Sequence, residues 1–211
     1  MKKKVALVTA GPTHEAIDPV RFIGNRSTGK MGFCIAQELT KNGFDVVLIS
    51  GPTSLEIPKN VTFVSIQSAQ EMYNACLEYY STCDLVVFSA AVADYTPKEV
   101  STLKIKKNEE TFSIDLVKTK DIAKELGLLK KQQIHVGFAL ETNNEEENAQ
   151  KKLKSKNLDF IVLNSLKNEG TCFGSDNNKI TILEQNNRLE FGIKSKEEVA
   201  KDIVNHILEK F

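Results

Sequence analysis

Short apolar runs alternate along this chain with stretches whose apolar residues recur at helical spacing, and that rhythm narrows the fold more than any single motif. The segments 5–9, 45–50, 61–66, 84–89, 134–139 and 160–163 read as buried strands. Between them, 29–41 carries Met31, Phe33, Ile35, Ala36 and Leu39 at helical spacing, and Asn42-Gly43 stops it. Ser68 is placed to cap a helix over 69–80, a further helix covers 145–156, and Ser195 caps a last one to 211 with Val199, Ile203, Ile207 and Leu208 on one side. Strands alternating with amphipathic helices predict an α/β fold, a Rossmann-like and mainly parallel sheet with helices on both faces. Two segments break the rhythm. Residues 103–107 and 111–117 flank Asn108-Glu109-Glu110, with Phe112, Ile114 and Leu116 alternating with polar residues, and 179–184 and 188–193 flank Asn186-Asn187. Both read as antiparallel hairpins, each with an apolar face that needs cover.

Composition excludes several classes. The 211 residues suit a single domain over 1–211 with a proper core. Lys plus Arg equals Asp plus Glu, at 28 each, so no net charge draws the chain to nucleic acid or a membrane surface. No apolar run approaches a bilayer span, and the run after Met1-Lys2-Lys3-Lys4 ends at Gly11-Pro12, too short for a signal-peptide core. Cys34, Cys76, Cys83 and Cys172 form no C-x-x-C pair, which suits reduced thiols and a cytoplasmic location. Three histidines without paired spacing make a zinc site improbable.

The chemistry concentrates at Gly24-Asn25-Arg26-Ser27-Thr28-Gly29-Lys30-Met31-Gly32, which runs into a helical pattern. A helix N-terminus there offers unpaired N–H groups and partial positive charge, a place for a phosphate or carboxylate. Gly24 to Lys30 imitates a P-loop, but Met31 stands where the Mg²⁺-binding hydroxyl belongs, and a long loop from Gly11 separates the segment from the first strand. Ligands of open α/β sheets bind beyond the carboxyl ends of the strands. Behind those ends come Gly11-Pro12-Thr13-His14-Glu15, Ala90-Ala91-Val92-Ala93-Asp94-Tyr95 and Glu141-Thr142-Asn143-Asn144. Singly each reads as turn chemistry, but together on one rim they favour a nucleotide-sized ligand. Lys104 and Lys106 share a face of an extended strand and can neutralise a triphosphate, or simply protect a hairpin edge. Lys152 and Lys156 project together, as a phosphate contact or as a solvated helix face supported by Glu145–Glu147. No G-x-G-x-x-G, no G-x-S-x-G elbow and no Cys–His pairing occurs, so the inventory stabilises charge rather than supplying a covalent nucleophile.

These residues fall into one pattern. Asp18-Pro-Val-Arg-Phe-Ile-Gly-Asn-Arg-Ser-Thr-Gly-Lys-Met-Gly32, Ala90-Ala-Val-Ala-Asp-Tyr95, Lys104-Ile-Lys-Lys107, Val136-Gly-Phe-Ala-Leu-Glu-Thr142 and Phe173-Gly-Ser-Asp-Asn177 follow the order found in the phosphopantothenate–cysteine ligase family, which the chain resembles over nearly its whole length. The resemblance implies a ligase of coenzyme A biosynthesis. The carboxylate of 4′-phosphopantothenate attacks the α-phosphate of CTP, with Mg²⁺ present; pyrophosphate leaves and an acyl-cytidylate forms. The amine of L-cysteine then displaces CMP and leaves 4′-phosphopantothenoyl-L-cysteine.

By motif position, the resemblance makes Asn25 and Lys104 catalytic, with Asn25 turning over the acyl-cytidylate and Lys104 serving activation. It assigns Arg21, Asn25, Gly29 and Ala90 to the acyl substrate. It assigns Phe88, Ser89, Ala90, Asp94, Lys104, Lys120, Asp121, Ile122, Ala123, Phe138, Lys152 and Lys156 to the nucleotide. It further implies a homodimer using the hairpins near 103–117 and 179–193, and a stand-alone ligase whose functional partner is a separate flavin-dependent phosphopantothenoylcysteine decarboxylase. Pro12, His14 and Lys120 depart from common family residues, so CTP rather than ATP is inherited from the resemblance. A nicotinamide-dependent oxidoreductase on the same sheet is the first alternative. It needs a glycine-rich turn after strand one and an acid ending strand two, where Pro12 and Ser50-Gly51 stand. A non-catalytic nucleotide-binding module is the second.

Overall fold

A computed structural model of the chain describes residues 3–106, 111–141, 143–165 and 176–211. In chain order the elements are β1 (Val5–Ala10), β2 (His14–Ala16), β3 (Phe22–Gly24), α1 (Lys30–Lys41), β4 (Asp45–Ser50), β5 (Val61–Ser65), α2 (Ala69–Tyr80) and β6 (Leu85–Phe88). They continue with β7 (Tyr95–Pro97), β8 (Leu116–Lys118), α3 (Ile122–Leu129), β9 (Ile134–Glu141), α4 (Glu145–Ser155) and β10 (Phe160–Ser165). The chain closes with β11 (Asn177–Asn178), β12 (Ile180–Leu183), β13 (Arg188–Glu190), β14 (Lys194–Ser195) and α5 (Lys196–Leu208).

An eight-stranded sheet has the order β13-β12-β10-β9-β6-β1-β4-β5. The strands from β5 to β10 pair in parallel, and β12 and β13 extend the sheet antiparallel. This is the Rossmann-like α/β class that the periodicity predicts. Side-chain alternation divides the core. Ala6, Val8 and Ala10 of β1 face α1 and α5, where Ile35, Leu39, Ile203 and Ile207 are buried. Leu7 faces the other side, with Met72 of α2, Leu126 of α3 and Leu153 of α4. Each of the larger side chains among these contributes about 1.5–3 kcal/mol by leaving water.

The helix ends follow their signals. Ser68 Oγ accepts from Glu71 N at the start of α2, and Ser195 with Glu198 forms a capping box on α5. Gly43, at φ 85°, ends α1, with Phe44 N returning to Leu39 O at 3.1 Å. Glu15 of β2 is buried, and its Oε1 accepts from Ala69 N at 2.8 Å, so the β2–β3 ribbon is tied to the N-terminus of α2.

Three expectations are corrected. The antiparallel pair near 103–117 exists, but β8 pairs with β7 rather than with 103–107. Residues 101–106 form no strand, and the turn Asn108-Glu109-Glu110 lies outside the described residues. Segment 103–106 is held instead by side chains of the loop before β3, which a strand-propensity reading does not register. Helix α3 carries no clear sequence signal, because only eight residues separate its cap Asp121 from Lys130 and both Leu128 and Leu129 are exposed. The β2–β3 ribbon was likewise read as loop, its strands being three residues each.

A polar pair lies inside the second core. Tyr80 Oη donates to Leu126 O at 2.9 Å, so its oxygen must accept from His135 Nε2 at 3.0 Å. Nδ1 of His135 is then an acceptor, buried without a partner. Burial, with Lys130 second and Asp159 opposing, pushes His135 down to about 4 from its usual 6.5. The unfolded chain therefore binds more protons between these values. Stability from this site is full above pH 6.5 and is lost as pH falls toward 4, by about 3 kcal/mol at most. Denaturant unfolding across that window should show a shallower acid-side decline in His135→Phe than in the wild type; equal slopes would contradict the buried neutral imidazole.

Candidate functional site

Two loops meet above the carboxyl ends of β1 and β6, where the strand order of the sheet reverses. Ala91 N donates to Gly11 O at 2.9 Å, and Thr13 N to Ala91 O at 3.3 Å. The buried Thr13 hydroxyl accepts from Ala93 N at 2.9 Å. Asn25, just after β3, holds the loop after β6, donating through Nδ2 to Ala91 O at 3.0 Å and Val92 O at 3.1 Å. To donate to a ligand oxygen, this amide must give up a carbonyl.

The N-terminus of α1 arrives directly over this junction. Gly29 has φ 83°, a left-handed value, and a Cβ there would lie 3.0 Å from Gly11 N. A Cβ on Gly32 would lie 2.6 Å from that of Ala10. Only bare backbone allows the approach. The first turn of α1 carries no acid, and its leading N–H groups of Gly29 and Lys30 rest on the hydroxyls of Ser27 and Thr28 at 3.2 and 3.4 Å. An anion can replace such neutral caps.

The facing wall runs from Lys118 to Ala123. Thr119 Oγ1 donates to Ala93 O at 2.6 Å, and Asp121 caps α3 through Lys124 N at 3.1 Å. Lys156 reaches Asp121 at 2.9 Å, Lys152 reaches Glu141 at 2.6 Å, and Lys120 lies 4.4 Å over the ring of Tyr73. The cleft measures about 710 Å³, within the range of small-molecule sites. Six lysines line it (Lys30, Lys118, Lys120, Lys152, Lys156, Lys196) against two carboxylates, Asp94 and Asp121. That excess selects an anionic ligand.

Of the residues singled out from sequence, Asn25, Gly29, Phe88, Ser89, Ala90, Asp94, Lys120, Asp121, Ile122, Ala123, Phe138, Lys152 and Lys156 all line this one cavity. Arg21 and Lys104 do not. Asp18 instead ties Arg21 to Ile105, the residue after Lys104. Asp18 Oδ1 accepts from Val20 N and Arg21 N, both at 2.8 Å; its Oδ2 accepts from Arg21 Nε at 3.0 Å and Ile105 N at 3.1 Å. Arg21 Nη2 also donates to Ile105 O at 3.0 Å. The Arg21 guanidinium holds the buried Asp18 carboxyl well below the usual carboxylate range. Lys104 is exposed on this anchored segment.

Sequence reading missed Asp18 as the hub, quoting it only as part of a motif. It also missed Lys118, Asn164, Asn178 and Lys196, which enter the cavity lining from separate elements. The one available signal was the position of Lys196 directly behind a helix cap.

These features define an α/β domain with a cationic cleft of nucleotide size at the carboxyl edge of its parallel strands. The chain belongs to the family described as DNA/pantothenate metabolism flavoprotein C-terminal domain, whose model matches residues 1–211. Coenzyme A biosynthesis bifunctional protein CoaBC of Bacillus subtilis (strain 168) is 48% identical over 209 residues, covering 98% of this chain and 52% of that protein. The chain thus spans about half the length of the curated relative it matches. The crystal structure of the C-terminal domain of CoaBC matches with a TM-score of 0.84 and 42% identity, over 99% of this chain and 98% of that one. The DNA/pantothenate metabolism flavoprotein from Streptococcus pneumoniae matches at 0.85 and 25% identity over 100% of both chains.

Asp18→Asn turns an NH₂ toward Arg21 and Ile105, both donors, if its carbonyl keeps the turn at Val20. Amide exchange at Ile105 should accelerate roughly tenfold or more, with the global unfolding transition still cooperative. Unchanged exchange at Ile105 would show that segment 101–106 is held by something else.

Proposed function

We propose that this chain is a phosphopantothenate–cysteine ligase, joining 4′-phosphopantothenate to L-cysteine through an acyl-cytidylate and releasing CMP and pyrophosphate. The observation that carries this reading is one cavity that combines the α1 N-terminus, the Asn25 amide and a lysine-rich wall. Each half-reaction needs a different part of it. Activation drives a carboxylate onto a triphosphate, and repulsion between the anions is the obstacle. Lysines around the cleft screen it. Lys104 adds a further cation from the segment anchored by Asp18 and Arg21.

Amide formation creates a tetrahedral oxyanion. Asn25, held on the loop after β6, can turn one N–H from Ala91 or Val92 toward it, a contribution of about 3–4 kcal/mol where one such donor acts alone. The bare helix start at Gly29 suits the phosphate or carboxylate of the acyl substrate.

Mg²⁺ fits this lining in one way. Asp121 is neutralised by Lys156, while Asp94 has no cation at ion-pair distance among the described residues. No cluster of three metal-ligating side chains occurs among the described residues. Asp94 would thus share the ion with phosphate oxygens and water, the usual Mg²⁺ arrangement, and the ion would offset phosphoryl charge. The nicotinamide alternative loses its acidic ribose partner. The end of β4 is Ser50, whose hydroxyl donates to Gly51 O at 2.9 Å.

The assembly we propose is a homodimer. Leu103, Phe112, Leu116 and Val117 are exposed beside the β7–β8 pair, and a second copy would cover them. A flavin-dependent phosphopantothenoylcysteine decarboxylase, separate or joined, is the functional partner this reading implies. No helix among the described residues is long and apolar enough to cross a membrane.

Pyrophosphate release, measured with CTP or ATP and with or without L-cysteine, tests the reading. Asn25→Asp should still release pyrophosphate from CTP and phosphopantothenate but form amide at least about a hundredfold more slowly. Lys104→Gln should lose pyrophosphate release with little change in unfolding midpoint. Equal loss of both halves in Asn25→Asp would make that residue structural, and normal turnover by Lys104→Gln would make Lys104 an ordinary solvated lysine.

A further inference from the structure

The cavity lining includes two polar side chains, Asn164 and Lys196, that the nucleotide and acyl assignments above do not use. Strand β10 delivers Asn164, and α5 begins at Lys196. Lys196 is only 8% exposed, and among the described residues no carboxylate stands at ion-pair distance from its ammonium. Its neighbour Lys30 differs, being held by Asp176 at 2.6 Å and Glu197 at 3.4 Å. Burial, and after it the charge of Lys30, pushes Lys196 below the usual lysine range. In the same lining, Asn164 Oδ1 is buried and, among the described residues, accepts no hydrogen bond. Among the described residues, a lysine buried without an ion pair and a buried acceptor without a donor are each costly, and both line one cavity.

We infer that this part of the cavity receives the α-amino-acid substrate, its carboxylate on Lys196 and its amine donating to Asn164 Oδ1. The inference rests on the ligase reading above and extends it to the second substrate. A phosphate would satisfy Lys196 but, fully ionised, offers only acceptors and leaves Asn164 unpaired. An α-amino acid carries a carboxylate and an N–H donor on one carbon, which matches both orphaned groups. The two lysines also disfavour an added ammonium, so a bound amine is kept in its neutral, nucleophilic form.

Lys196→Met keeps the buried stem and removes the charge, and it should unfold no earlier than the wild type. With CTP and phosphopantothenate saturating, its KM for L-cysteine should rise roughly tenfold to a hundredfold, far more than its KM for phosphopantothenate. Cysteamine, which has the same amine and thiol but no carboxylate, gives the specific readout. The wild type should prefer cysteine over cysteamine by a similar factor. Lys196→Met should lose that preference, and Lys196→Arg should restore part of it. A preference that survives in Lys196→Met, or a KM increase that falls on phosphopantothenate, overturns the assignment. Pyrophosphate release by the wild type without cysteine separates the two levels, since its absence with either nucleotide removes the ligase reading itself.

Discussion

Everything at the site depends on a contact between two backbones with no side chain between them. Gly29 and Gly32 bring the start of α1 against Gly11 and Ala10, at the end of the strand where the sheet changes direction. A third close contact locks the neighbouring turn, because a Cβ on Gly51 would fall 1.6 Å from Pro12 O. The result places a helix N-terminus over the sheet edge rather than beside it. A bulkier residue at Gly32 would lift α1 and separate its leading N–H groups from Asn25 and the loop after β6. Packing here is therefore a condition for the chemistry.

The cleft carries many lysines, and several of them lend their charges to local partners. Lys152 rests on Glu141, Lys156 on Asp121 and Lys30 on Asp176. Such partly exposed pairs are worth about 0–1 kcal/mol each. A triphosphate offering several charge-assisted contacts of about 1.5–3 kcal/mol can displace them readily. Lys196 is the exception: it is buried, makes no ion pair among the described residues, and is pushed below the usual lysine range by burial and by Lys30 against the weaker pull of Asp176 and Glu197.

Much of the fold was legible because the core alternates so regularly. Leu7 between Ala6 and Val8 is enough to put β1 inside a sheet with two covered faces. Ser68, Ser195 and Asn42-Gly43 marked their helix ends through ordinary capping chemistry. What failed was held by tertiary contacts. Residues 103–107 read as a strand, but among the described residues of that run Asp18 and Arg21 hold the backbone at Ile105 instead. Helix α3 is too short and too exposed on one side to show a period. At the site, motif order brought most nucleotide candidates to one cavity, whereas Lys196 and Asn164 carry no motif. Their meaning lies in burial without a partner, which a sequence does not display.

The central claim is that the acid becomes a mixed anhydride with a nucleotide before the amine arrives, and oxygen tracing tests it most directly. Phosphopantothenate labelled with ¹⁸O in its carboxylate should transfer one labelled oxygen to CMP during turnover with CTP and cysteine. Label appearing in orthophosphate, or absent from every phosphorus-containing product while amide accumulates, would contradict an acyl-cytidylate.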